Sequence, residues 1–409
     1  MIIDGEGQER RLLSYCTNVH QGESVSEVVD DLGRWAVPLR DRFGAGRFAL
    51  GLRLGEAAVN ELDQDRAAEE AFREFLRREN FVAYTLNVFP QGAFHAPVVK
   101  DAVYRPDWSQ AARAAYTVAA ARVLARLLDD EDPFGTLSTV PLGWVAAKTD
   151  ESTLPLREAG ARMIADVAHS LALLEASSGR RIQLCLEPEP LCVLETTAET
   201  VAWFEDFLWP LGAGLETVDG HTGVDQLRRH VGVCYDACHL AVEHEDGPYG
   251  LERLERAGIS VGKIQLSCAL ELRAPRENPE GLRRLLAFDE ARFLHQVVVL
   301  DGRRRVIRFD DLGNFAAWLD ATSGPVHAAR CHFHVPIHLP STRPLHTTQA
   351  SLQDILHREK IRRSTRHLEV ETYTFDVMPD GLGDEMPLVD SLEQELAFAR
   401  SRLLSAADS

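Results

Sequence analysis

The chain has 409 residues, 45% of them hydrophobic, and a formal net charge of −19. That supplies ample apolar material for a large core, while the acidic balance disfavours a phosphate-backbone binder or an anionic membrane as the main partner. No apolar run approaches the roughly 20 residues of a membrane span, and "MIIDGEGQERRLL" has no signal-peptide core.

Short apolar segments alternate with helical patterns along the whole chain. Candidate strands run over 12–19, 47–54, 81–89, 135–142, 182–187, 231–236, 261–267, 329–337 and 367–375. Helices are expected between them at 25–43, 65–78, 108–128, 156–178 and 197–207. Such alternation implies parallel strands joined by crossovers, and the predicted fold class is α/β, a single-domain (β/α)8 TIM barrel. The surplus strand falls in 268–366, an enlarged region before the last strand. Within it, "HQVVVLDGRRRVIRFDDL" (295–312) puts two β-branched runs about an Asp-Gly turn, which predicts a β-hairpin. "CHFHVPI" is expected as an additional strand near the barrel mouth. The seven scattered cysteines fit reduced core thiols, and a cytoplasmic enzyme is the expectation.

Residues two apart on a strand share a face. In "IQLCLE" the apolar Ile182, Leu184 and Leu186 oppose Gln183, Cys185 and Glu187, so Glu187 is the last inward side chain before Pro188. The same division sets Asp236 on the inward face of "VGVCYD", Gln265 on that of "GKIQLS" and Glu371 on that of "HLEVETYTF". Asn18 and His20 share a face of the first strand, and Thr85 and Asn87 share one of the third. Barrel enzymes place their chemistry at the C-terminal ends of strands. Several carboxylates converging there repel one another, and a divalent metal resolves the repulsion. In "YDACHL", His239 follows Asp236 by three residues, a spacing that suits a further ligand or a substrate contact.

These motifs resemble those of the xylose isomerase-like TIM barrels, a superfamily of sugar epimerases, hydroxypyruvate isomerase, inosose dehydratase and endonuclease IV. The resemblance implies that Glu187, Asp236 and Glu371 are metal ligands, with His239 nearby. The remaining ligand, usually a histidine, falls on Gln265. An amide oxygen is a harder ligand than imidazole, which favours manganese or magnesium and leaves zinc or cobalt as the less favoured ions. Through "SYCTNVH", "LNVFPQGAFH", "CLEPEP", "CYDACH", "CHFHVP" and "LEVETYTFDVMP" the chain is also similar to the EboE family of metabolite traffic proteins. That family implies a barrel encoded beside a prenyltransferase-like membrane protein, with a role in processing or exporting a secondary metabolite.

His332 and His334 share one face of their strand, and His95 follows the third strand in "FPQGAFH". With Asn18 and His20 they are candidates for substrate binding or for an additional metal. Glu189, beyond Pro188, reads as a supporting or rim group rather than a ligand. In "VYRPDW", Tyr104, Arg105 and Trp108 fall in a loop before a helix, which reads as a lid or, preferably, as Pro106 and Asp107 starting that helix.

The chemistry implied is sugar isomerase- or epimerase-like, on a polyol or carbonyl-containing small metabolite. One of Glu187 and Glu371 would remove a proton α to a carbonyl, and the other would return it. Two alternatives stay open: a metal-dependent phosphoesterase of endonuclease IV type, and a non-catalytic metabolite-binding barrel. The expected partners are a small-molecule substrate, with no nucleic acid and no stable membrane insertion. Contacts with other proteins of the same gene cluster, and a homo-oligomer, are compatible with the sequence.

Overall fold

Eight parallel strands close on themselves in the computed structural model, which describes residues 1–3, 10–44, 46–145, 148–357, 365–379 and 386–405. A two-residue strand β1 (Ile2–Ile3) precedes the barrel strands β2 (Arg11–Tyr15), β3 (Phe48–Arg53), β4 (Phe81–Asn87), β5 (Phe134–Thr139), β6 (Arg181–Leu186), β7 (Val231–Asp236) and β8 (Val261–Leu266). The eighth barrel strand, β15 (His367–Val370), lies between β8 and β2. The ring closes between β2 and β3 through one parallel bridge, Cys16 to Gly51. Below that bridge, β1 pairs antiparallel with Leu12 and Arg11.

The helices begin where side chains satisfy their free N–H groups. Ser24, Thr149, Thr196 and Thr222 each close a capping box. Ile182, Leu184 and Leu186 of β6 join the main core. The opposite face of each strand makes a polar barrel interior, in which Ser14, Thr136, Ser138, Lys263 and Glu369 are fully buried. At its centre, Lys263 Nζ lies 2.5 Å from Glu369 Oε2. A Cβ at Gly51 would run into the Glu369 carboxylate, so β3 passes this pair only because residue 51 has no side chain.

Between β8 and β15 the chain builds a second, antiparallel sheet. It contains β9 (Leu270–Arg273), β10 (Val297–Asp301), β11 (Val306–Phe309), β12 (Val326–Cys331), β13 (Ser341–Thr342) and β14 (Leu345–Thr347). Here β10 and β11 pair as a hairpin, Val297 opposite Phe309 and Leu300 opposite Val306. Arg308 of β11 is pinned over the barrel by Glu243 and by Glu195, the latter at 3.1 Å from its Nε. The strand expected over 329–337 differs: β12 starts earlier, ends at Cys331, and belongs to this second sheet. A tight turn, Phe333 N–H to Cys331 carbonyl at 2.9 Å, breaks the alternation, so His332 and His334 lie on irregular chain. Among the described residues, no helix is long and apolar enough to cross a membrane.

Candidate metal centre

Two strand ends, those of β6 and β7, and the loop after β15 deliver the acids. Glu187 follows β6, Asp236 ends β7, and Glu371 follows β15, its amide N–H donating to the Leu266 carbonyl at 3.1 Å. Glu187, Asp236 and Glu371 are buried, with carboxylate oxygens of all three within 4.8 Å of one another. Asp236 also caps the helix Ala237–Val242: its Oδ1 accepts from His239 N–H and from Ser267 Oγ, both at 2.8 Å. Among the described residues its Oδ2 has no partner, nor has Glu187 Oε2. Gln265 pairs with Asp236 across β7 and β8, is fully buried, and leaves both amide atoms unpartnered. A buried amide and carboxylates without partners are costly. Their convergence meets the donor requirement of an oxygen-ligated divalent cation, so the residues fit the ion that the sequence implies.

Electrostatics point the same way. Burial, then the charges of Glu371 and Asp236, push the Glu187 carboxyl well above its ordinary range. Burial, then Asp236 and Glu369, do the same to Glu371. Opposing that rise, Asn18 Nδ2 donates to Glu371 Oε1 at 2.7 Å, and Asn87 Nδ2 donates to the same oxygen at 3.1 Å. Carboxyls raised in the folded state support the fold at low pH and lose that contribution as pH rises through their folded values. The metal-free protein should therefore lose thermal stability as pH climbs from the ordinary carboxylate range, about 4.3, through neutrality. Bound Mn²⁺ should flatten that loss. Melting curves between about pH 5 and about pH 8 check this, and parallel slopes with and without metal would refute it.

Three imidazoles lie beside the acids. His239 Nδ1 donates to the Pro188 carbonyl at 3.1 Å, and His334 Nδ1 to the Glu371 carbonyl at 2.7 Å. His332 Nδ1 donates to Gln296 Oε1 at 2.9 Å. These acceptors fix the tautomers, so all three Nε2 atoms carry lone pairs. Yet Nε2 of His332 and His334 are 3.2 Å apart, and those of His334 and His239 are 3.4 Å apart. Burial holds His239 near 4 and His332 well below its usual value. Neutral lone pairs facing one another call for a shared cation. Asp236 and Glu189 each supply a carboxylate oxygen to a group containing His239.

The other expected site residues divide. Asn18 reaches the centre. The expected first strand stops at Tyr15, and a 3-10 turn (Thr17–Val19) follows. That turn breaks the two-residue alternation and sends His20 away, to Tyr15 Oη at 2.9 Å and into a stack on Trp35. His95 Nε2 donates to the Asn18 carbonyl at 2.7 Å, which positions the Asn18 loop, and its ring meets Phe94. Of the two positions expected for Glu189, supporting or at the rim, it takes the buried, supporting one. It is 4% exposed, and Tyr104 Oη donates to it at 2.6 Å. Burial raises its carboxyl to about 8.

A cavity of about 60 Å3 lies over the acids. Glu187, Glu371 and the three histidines line it, and Phe94, Phe293 and Tyr373 form an aromatic roof with ring centroids 5.1 to 5.3 Å apart. Gln296 and the roof residue Phe293 had no sequence signal, because each reaches the site through contacts between distant parts of the chain, whereas Tyr104 was noted in the loop before a helix. Asn87 was signalled by its inward parity.

No protein-family model matches the chain, and no curated protein does. Among solved structures, a xylose isomerase-like TIM barrel protein of Mycobacterium smegmatis, crystallised in complex with magnesium, superposes with a TM-score of 0.51 at 12% identity, over 97% of this chain and 98% of that one. The chain has the xylose isomerase-like TIM-barrel fold. An Anabaena variabilis protein of this fold, described as a sugar phosphate isomerase/epimerase, superposes with a TM-score of 0.50 at 11% identity, over 97% of this chain and 99% of that one. At these identities the likeness is one of fold.

Proposed function

We propose that the protein is a divalent-metal-dependent enzyme of isomerase or epimerase type, acting on a polyol or carbonyl-containing small metabolite. The observation that carries this reading is the set of buried oxygen donors, on Glu187, Asp236 and Gln265, that find no partner among the described residues. With Glu371 these residues would hold the ion, and the hard donor set favours manganese or magnesium. Such an ion supplies Lewis-acid polarisation of a carbonyl oxygen. The chain supplies the proton handling. Raised carboxyls at Glu187 and Glu371 suit one to take an α-proton and the other to return it. Asn18 and Asn87 keep the Glu371 side from protonating too readily, and the aromatic roof excludes water. In keeping with the EboE resemblance, the setting would be secondary-metabolite processing or export. The region 268–366 would act as part of the same barrel unit, covering its mouth.

A second reading rests on the three converging Nε2 lone pairs, which favour a second ion and hydrolysis of a phosphoester. Elemental analysis of protein reconstituted with Mn²⁺ or Zn²⁺ separates the two. One ion per chain supports isomerase-type chemistry, and His334→Ala then leaves the count unchanged. Two or more ions, with one lost on His334→Ala, support the hydrolytic reading. Protein that retains a small molecule but takes up no ion would overturn both in favour of a binding barrel.

A further inference from the structure

The strands that deliver the candidate ligands begin together at the opposite end of the barrel. There β6, β8, the lead into β15 and the helix before β7 wall a second cavity, of about 760 Å3. Four guanidinium groups line it, those of Arg181, Arg228, Arg229 and Arg366, against one lining carboxylate, Asp225. That is an unusual concentration of positive charge in a chain of net charge −19.

Only part of this charge is compensated. Arg229 Nε donates to Glu175 Oε2 at 2.7 Å, and Arg366 Nη2 to Asp132 Oδ1 at 2.9 Å. Asp225 is engaged in capping, accepting from Thr222 Oγ1 at 2.6 Å. Among the described residues, Arg181 and Arg228 make no ion pair. Arg181 lies 4.1 Å over the Phe134 ring and Arg228 lies 5.7 Å from the Trp209 ring centroid. Burial, then the neighbouring Arg229 charge, holds Arg181 below the usual guanidinium range. Ser260 Oγ accepts from Gln183 Nε2 at 2.6 Å and keeps its own proton to donate into the cavity. Planar guanidinium forks and the Ser260 hydroxyl arranged around one space match the oxygens of a tetrahedral polyanion.

We propose that this cavity is a binding site for a small phosphate-class anion, separate from the metal centre. Its test uses the full chain treated with chelator, so that no phosphate can enter through a metal at the other end. Inorganic phosphate, pyrophosphate and glucose 6-phosphate are titrated by calorimetry and by melting temperature, against sodium chloride at matched ionic strength. Binding of the inorganic ions assigns the free anion, and binding of the sugar phosphate alone assigns an ester. Arg181→Gln and Arg228→Gln should each weaken binding by about 10-fold, the loss of one charge-assisted contact. Arg228 is exposed, so its variant decides the matter where Arg181→Gln fails to fold. An equal response to chloride, no binding of any of the three anions, or unchanged affinity in the folded variants would overturn the proposal.

Discussion

Replacing Glu187 by Gln should weaken Mn²⁺ binding by at least about 100-fold while making the metal-free protein more stable. The first half follows because the substitution removes a charged oxygen from the acids that converge with Asp236 and Glu371. Even supporting residues around a metal commonly carry 10- to 100-fold effects, so loss of a direct ligand belongs at or above that range. The second half follows from the repulsion that pushes Glu187 and Glu371 upward. A neutral amide of the same shape relieves it, and a gain of about 1 kcal/mol would raise the melting temperature by roughly 2 °C in a chain this long. Calorimetric titration with Mn²⁺ and melting of the metal-free variant read both halves. A residue serving only the fold would lose stability and leave metal affinity alone. Unchanged affinity sinks the assignment.

Lys263→Met should cost about 3 to 5 kcal/mol of stability, the penalty of leaving one member of a fully buried ion pair alone. Lys263 and Glu369 are both fully buried. Apart from Glu369, the hydrogen-bond partner found for Lys263 is Ser138 Oγ at 3.4 Å. The burial that would discharge the lysine is outweighed by Glu369, which holds the ammonium well above its usual value. Adding Glu369→Gln removes the stranded charge and should restore at least half of the loss. Denaturant unfolding of the single and double variants measures it, and additive losses would refute the pairing.

Much of this architecture was legible in the chain. The barrel strands were visible because an apolar helix-facing side and a polar interior force a period of two, and the same period picked out Glu187, Asp236, Gln265 and Glu371. That parity failed where the strands ended. His20 lay beyond a 3-10 turn that alternation cannot anticipate. For Glu189, parity beyond Pro188 left a supporting and a rim position open, and the loop decides between them by folding back, its amide N–H bonding to the Leu194 carbonyl at 3.1 Å, which buries the acid. Gln296 reaches Tyr104 across 192 residues of sequence, at 2.7 Å. Such a contact is set by packing of the second sheet over the mouth, and no local pattern encodes it.

The seam between β2 and β3 has a consequence for how the barrel opens. A ring of hydrogen-bonded strands parts first at its weakest link, and among the described residues that link is the single bridge from Cys16 to Gly51. Asn18 follows one side of the seam, while Asn87 ends β4 on the other, and both grip the same oxygen of Glu371. The carboxylate thus acts as a rivet across the gap. Breathing of the ring would be felt at that oxygen before it reached any other part of the centre, and whatever immobilises Glu371 would clamp the hoop shut.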